Sequence, residues 1–252
     1  MSDKPFSIGY DAEEYSAAKR HPWRLWIERW SILSTIHDLG VNVANTKAGD
    51  FGCGTGLYSR MLIDQGASSI LAIDGDSQMI ATAKKEGVLY NDLITYQNSW
   101  IQNTNGKEDC HLILGAYLMS YPKSREEATA YCQAIASHLT REGVFIGVMS
   151  NPFVRHSDKQ YQCYGFSRSH PDQSADDYDG RIVHWHFEGM TDPAVNYNLY
   201  PATYEQAFLN AGMKVQWRNA ELHPSQKNNP FWHLFFQDSA PINLIIARKI
   251  AT

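Results

Sequence analysis

From residue 45 onward, short apolar runs alternate with longer segments in which apolar residues recur every three to four positions. That pattern predicts an α/β protein whose mainly parallel sheet is covered by helices on both faces. The predicted strands are Asn45 to Phe51, Ser69 to Ile73, Leu93 to Gln97, Cys110 to Gly115, Gly143 to Met149, Met213 to Ala220 and Ile242 to Ala247. The predicted helices between them are Gly56 to Gln65, Ser77 to Glu86 with Ser77 as N-cap, Arg125 to Leu139 and Thr203 to Ala211. The spacing suits successive right-handed crossovers and a doubly wound, seven-stranded sheet. Two further helices, Tyr10 to Arg20 and Trp23 to Leu39, precede the alternation. In the second, Trp23, Trp26, Ile27, Trp30, Leu33 and Leu39 keep helical spacing, and Gly40 supplies a stop. The first strand has the least strand character, because Lys47-Ala48-Gly49-Asp50 lacks branched apolar residues.

From Ser150 to Asp192 the alternation stops, and Pro, Gly, Asp, His and aromatic residues take over. The density of Tyr, Phe, Trp and His argues against disorder, so the stretch reads as an insertion on one domain, 1–252, in which 150–200 builds an acceptor site and 1–44 a helical lid.

The chemistry centres on Asp50-Phe51-Gly52-Cys53-Gly54-Thr55-Gly56, a strand turning into a helix. Glycines there let a ligand approach the backbone closely. A dinucleotide site requires a third glycine at position 57, which is Leu57, and a phosphate loop requires Gly-Lys-Ser/Thr; neither pattern is present, so a pyrophosphate ligand is disfavoured. Asp74 lies 24 residues after Asp50 at the end of the next strand, where a carboxylate accepts hydrogen bonds from ribose hydroxyls. Alone, Asp74 reads as a turn residue of Asp74-Gly75-Asp76-Ser77. Paired with the glycine turn, the ribose role gains the advantage.

These two segments resemble the first and second motifs of class I S-adenosylmethionine-dependent methyltransferases. Asp109-Cys110-His111-Leu112-Ile113-Leu114 and Leu139-Thr140-Arg141-Glu142-Gly143-Val144-Phe145 are similar to the family's fourth strand and its approach to the fifth. Departures are Lys47-Ala48-Gly49 for the usual Val-Leu pair, Arg141-Glu142 for Pro-Gly, and Asn98-Ser99-Trp100 where an Asp commonly meets the adenine. Tyr10, Tyr15, Asn151-Pro152-Phe153, Tyr164-Gly165-Phe166, Asp179-Gly180, Tyr200-Pro201-Ala202-Thr203-Tyr204-Glu205, Ala211-Gly212-Met213 and the stretch from Phe231-Trp232 to Ala240-Pro241-Ile242 resemble a narrower small-molecule group, typified by the toxoflavin-biosynthesis N-methyltransferase.

The resemblance implies a Rossmann-like fold with S-adenosylmethionine as cofactor. Gly52, Cys53, Gly54 and Gly56 would line its methionine and ribose, Asp74 and Gly75 its ribose, and Asp50 would orient the turn and the amino group. Met79, Ser99 and Trp100 would meet the adenine, with Asn98 as an alternative polar partner; Gly115, Ala116 and Tyr117 would hold the ammonium, and Tyr10 and Tyr15 would close over the site. As bases, His21, Tyr117, His184 and His186 are the candidates, with Arg20 beside His21 as a grip for a carboxylate. Each has a plainer alternative: His21 and Arg20 as a helix end, Tyr117 as a packed aromatic beside Tyr121, Tyr10 and Tyr15 as the inner face of a helix. His184-Trp185-His186 alternates as a strand does, which puts the two imidazoles on one face, but no third ligand accompanies them and no metal is expected. Tyr15, Asn151, Tyr161, Trp185, Tyr197, Tyr200 and Trp232, with Tyr164 and Phe231, are candidates to line an acceptor pocket suited to a flat heterocycle or phenol.

Composition narrows the partners. With 22 Lys and Arg against 27 Asp and Glu, net −5, and no basic stripe, nucleic acid is not an expected partner. No apolar run reaches membrane length and the start has no leader pattern, so the expected setting is cytoplasmic, and the group resemblance implies secondary metabolism. The four cysteines are scattered without a C-x-x-C pair and are expected to be reduced. The reading is methyl transfer to N or O of a small aromatic or heterocyclic acceptor by a monomer or homodimer. Its rivals are a catalytically silent cofactor-binding partner subunit, another S-adenosylmethionine reaction on the same fold, and a nicotinamide oxidoreductase, against which the missing third glycine speaks.

Overall fold

Every second residue of the central strands faces the same layer of helices, and the computed structural model shows where each layer lies. It describes residues 10–153, 158–171, 179–237 and 239–250, without the side chains of 158–160. Parts of two expected regions, 1–9 of the helical lid and 154–157 and 172–178 of the insertion, lie outside the described residues.

In chain order the strands of the main sheet are β1 (Lys47–Phe51), β2 (Ser69–Asp74), β3 (Ile94–Asn98), β4 (Cys110–Ala116) and β5 (Leu139–Ser150), then, past the insertion strands β6 (Phe166–Ser169), β7 (Arg181–Phe187) and β8 (Ala194–Asn198), β9 (Met213–Asn219) and β10 (Ile242–Lys249). The helices are α1 (Ala12–Ala18), α2 (Trp30–Asp38), α3 (Leu57–Asp64), α4 (Ser77–Glu86), α5 (Arg125–His138) and α6 (Pro201–Asn210). The sheet order is β3-β2-β1-β4-β5-β10-β9, with β10 antiparallel to both of its neighbours. This is the expected doubly wound, seven-stranded, mainly parallel sheet. On β4, Leu112 and Leu114 join the core under α3 and α4, while Ile113 joins the one under α5 and α6. Leu244 and Ile246 against Ile245 repeat the division on β10.

Several boundaries differ from expectation for physical reasons. The N-cap of α4 is Asp76 rather than Ser77, because the Asp76 carboxylate accepts from the amides of Gln78 and Met79. The helix expected from Trp23 begins as a π-helical turn, Arg24–Arg29, before α2. The approach to β5 is extended from Leu139 and forms no separate turn, with a register shift between Cys110 and Leu112 absorbing the extra length. The weakly written β1 is a buried central strand paired with β2 and β4. Its small residues have a packing cause: a Cβ on Gly49 would lie 2.9 Å from the Phe51 ring and 3.1 Å from Ile113.

Within the insertion, β6 (Phe166–Ser169), β7 (Arg181–Phe187) and β8 (Ala194–Asn198) form a separate antiparallel three-stranded sheet. Sequence reading gives β7 its alternation but not the sheet. Val183, Trp185 and Phe187 point inward, and Tyr161, Phe166 and Phe235 pack with them.

Candidate functional site

The turn after β1 is held by its neighbour strand. Ile73 O accepts from Gly52 N at 2.8 Å and from Cys53 N at 3.0 Å. Gly52, Gly54 and Gly56 have φ of 69°, 53° and 77°, backbone that non-glycine residues adopt only with strain. Asp74, at the end of β2, closes the turn: its Oδ2 accepts from Gly54 N at 2.7 Å and its Oδ1 from Asp76 N at 2.9 Å. The carboxyl is half-buried, and burial raises its pKa to about 6 against the lowering pull of those two amides.

Beneath the turn, Asp50 is 1% exposed and accepts from Ser59 Oγ at 2.6 Å through Oδ2, while its Oδ1 is buried with no hydrogen-bond partner among the described residues. Burial lifts this carboxyl to about 6 also, with the Ser59 bond opposing the shift.

A cleft of about 610 Å³ opens at the carboxyl ends of β1, β2 and β4, where open α/β sheets bind ligands. Eleven of the expected cofactor residues line it: Tyr10, Tyr15, Gly52, Gly54, Asp74, Gly75, Met79, Ser99, Trp100, Ala116 and Tyr117. Ile73, Ile101, Leu118, Tyr121 and Tyr131 complete the wall. Asp50, Cys53, Gly56 and Gly115 lie behind it. Gly115 is a packing position, since a Cβ there would meet the Phe145 ring at 2.7 Å. Gly56 starts α3 close to Arg60, Ala83 and Tyr96. Trp100 packs its ring against Gly75, and Ser99 donates to Trp100 O at 3.1 Å. Asn98 donates to Asp74 O and is exposed.

A second cavity, about 270 Å³, adjoins the cleft and shares Tyr10, Tyr15, Tyr117 and Tyr121 with it. Its other walls are Arg24, Trp185, Phe187, Ala194 and Asn196. Of the expected acceptor residues, the structure brings Tyr15 and Trp185 here and leaves the rest elsewhere. Asn151 donates to Ser239 Oγ and Ala240 O, tying β5 to the chain before β10. Tyr161 is fully buried in the insertion's core. Trp232 stacks on Tyr164, with Phe231 edge-on to it; Tyr197 lies under Lys123; and Tyr200 is 41% exposed at the start of α6.

The histidine candidates need correcting. His184 and His186 share the face of β7 opposite Trp185, as alternation implies, and that face points away from the cavity that Trp185 lines. His186 meets Ser169 Oγ at 2.9 Å. His21 packs on Gly165 and meets Glu188 O at 3.2 Å, and Arg20 is exposed; neither lines the cleft or the second cavity. Among the four candidate bases only Tyr117 is at the junction, with φ +65°.

Sequence reading missed the charged cluster behind Tyr117. Glu28 is fully buried and accepts from Arg24 Nη1, Tyr58 Oη and Tyr117 Oη, with Lys19 Nζ 3.8 Å away. Arg24 Nη1 also donates to Tyr117 Oη at 2.9 Å. Burial alone would raise the Glu28 pKa, yet Arg24, Lys19 and the two phenols outweigh it and hold it below the usual value. Burial raises Tyr117 well above an ordinary phenol, with Arg24 pulling the other way and Glu28 adding to the rise. Tyr117 therefore stays protonated at neutral pH and serves as a donor, not a base.

Residues 49–143 match the family model described as "Methyltransferase domain". No curated protein matches the chain. Among solved structures, an S-adenosylmethionine-dependent methyltransferase from Clostridium acetobutylicum ATCC 824 superposes with a TM-score of 0.67 at 14% identity, covering 95% of this chain and 99% of that one. One from Mesorhizobium loti gives 0.60 at 18% identity over 86% and 96%. The DhpI-SAM-HEP complex gives 0.59 at 15% over 94% and 92%. The fold is that of class I methyltransferases, and residues 49–143 match the model of a methyltransferase domain.

Proposed function

We propose that the chain transfers a methyl group from S-adenosylmethionine, held in the larger cleft, to N or O of a small aromatic or heterocyclic molecule in the smaller cavity. The observation that carries this reading is the shared wall: Tyr10, Tyr15, Tyr117 and Tyr121 border both spaces, so ligands in the two would meet there.

The residues fit the cofactor on their own chemistry. Behind the turn, Asp50 Oδ1 is a buried acceptor with no partner among the described residues, a charge suited to orienting an ammonium, and Gly54 presents a bare backbone where a Cβ would approach the Tyr15 ring to 3.5 Å. Asp74 would take the ribose hydroxyls and Trp100 and Met79 the adenine. When bound, S-adenosylmethionine supplies an electrophilic methyl on a sulfonium.

The protein's part is approach geometry and exclusion of water. Trp185 and Phe187 give the acceptor a flat apolar wall, and Tyr10 and Tyr121, whose hydroxyls are 3.1 Å apart, roof the junction. Glu28 is held ionised with a lowered pKa, and the Tyr117 proton is tightly held, so this cluster positions and does not abstract. The acceptor atom must arrive nucleophilic. The resemblance to the toxoflavin-biosynthesis group supports the small-molecule reading.

Incubating the protein with methyl-labelled S-adenosylmethionine and a panel of small phenols, heterocyclic amines and aromatic acids tests it. Label should appear in a panel member with the wild type and fall at least tenfold with Trp185→Ala. Binding of the cofactor with no transfer to any member would favour a silent partner subunit.

A further inference from the structure

The smaller cavity has aromatic and amide walls with one charged side chain among them, Arg24. Arg24 is 3% exposed, and its guanidinium is clamped against the rings of Trp23 at 4.0 Å, Phe187 at 4.9 Å and Tyr117 at 5.1 Å. Nη1 is committed to Glu28 and Tyr117. Nε is buried and has no hydrogen-bond partner among the described residues. A buried donor left unpaired costs free energy, and a buried cation costs more, unless something completes the site. Glu28 does not cancel Arg24 alone, because its other oxygen faces Lys19 Nζ at 3.8 Å. Among the described residues, no acidic side chain lines this cavity.

We propose that the acceptor is an anion, a small planar acid whose carboxylate or deprotonated ring oxygen docks on the free edge of Arg24 while its ring lies along Trp185 and Phe187. This rests on the reading that the larger cleft holds the cofactor and the smaller cavity the acceptor. The geometry is one that suits arginine: a rigid guanidinium fixed by aromatic faces, with an N–H that has no partner among the described residues.

The test uses isosteric acid and amide pairs, benzoate with benzamide and picolinate with picolinamide, titrated calorimetrically into the full chain saturated with S-adenosylhomocysteine. In the wild type at least one acid should bind about ten- to hundredfold tighter than its amide, the range of one charge-assisted hydrogen bond. Arg24→Gln should bring the pair to within threefold and leave S-adenosylhomocysteine affinity within twofold. Because Arg24→Gln strands Glu28, the double variant R24Q/E28Q removes the buried pair together and should show the same loss of preference with a cooperative melt. Equal binding of acids and amides to the wild type, absence of binding by all four, or a preference that survives in both variants would overturn the proposal. So would a tenfold loss of S-adenosylhomocysteine affinity in Arg24→Gln, which would assign Arg24 to the cofactor. Failure of S-adenosylhomocysteine to bind the wild type would instead strike the underlying cofactor reading.

Discussion

Replacing Asp50 with Asn should make the protein more stable and its cofactor binding worse. One carboxylate oxygen of Asp50 takes the Ser59 hydroxyl, the other is buried with no partner among the described residues, and burial lifts the pKa from 3.8 to about 6. A carboxyl that is harder to ionise folded than unfolded costs stability wherever it is charged. The cost is complete above the folded pKa and fades as pH falls toward the unfolded one. Linkage gives about 3 kcal/mol at pH 7, about 1.6 at pH 5 and about 0.6 at pH 4. Asn keeps an oxygen for Ser59 and carries no charge, so Asp50→Asn should recover a large part of this, about 1–3 kcal/mol at pH 7. Urea melts of ligand-free wild type and variant at pH 7, 5 and 4 measure it directly. The gap should shrink monotonically with pH, while S-adenosylmethionine affinity at pH 7 falls at least tenfold. A variant less stable than wild type at pH 7, or a gap that does not narrow by pH 4, would refute the reasoning, because the buried charge would then be compensated.

Three further outcomes are expected. Asp74→Ala should weaken S-adenosylmethionine binding about ten- to hundredfold by calorimetry, the range of one or two hydrogen bonds to a charged group; wild-type affinity would remove the ribose role. Cofactor affinity should be flat above pH 7 and fall below pH 6, because the Asp74 and Asp50 carboxyls, both at about 6, gain protons there; Asp74→Asn should lessen that fall and leave the part that Asp50 contributes. Of the four cysteines, exposed Cys163 should react with a thiol reagent in the native protein while buried Cys53, Cys110 and Cys132 stay unmodified until unfolding; fast labelling of Cys53 would mean that the turn opens freely.

The sheet was legible because its strands obey local rules. Leu112, Ile113 and Leu114 are apolar whichever face they meet, and the glycine turn and Asp74 are fixed by short-range spacing. What was not legible depends on partners distant in sequence. Arg24 and Glu28 look like the wet face of a helix. They sit one position after Trp23 and Ile27 with the same i,i+4 spacing, so this pair flanking the apolar stripe was the available signal, and only the packing of Tyr117 and Phe187 against it reveals its burial. The insertion's sheet escaped because β6 is four residues long and half of it is serine. Asn151, Tyr161 and Trp232 share the aromatic or polar character of a pocket lining, but they serve the packing beneath the insertion, a distinction that composition does not make.

Helix α1 carries both Tyr10, just before it, and Tyr15, and its outer contacts reach two parts of the molecule. Glu13 pairs with Lys85 and Ser16 with Glu86 on α4, while Glu14 accepts from Thr191 in the insertion. All of these bonds are exposed, and each contributes little in salt. One seven-residue helix, with the Tyr10 that precedes it, thus borders both compartments. If that helix were to lift, exchange of the spent cofactor and of the product would be a single event, and its rate would be expected to rise with ionic strength.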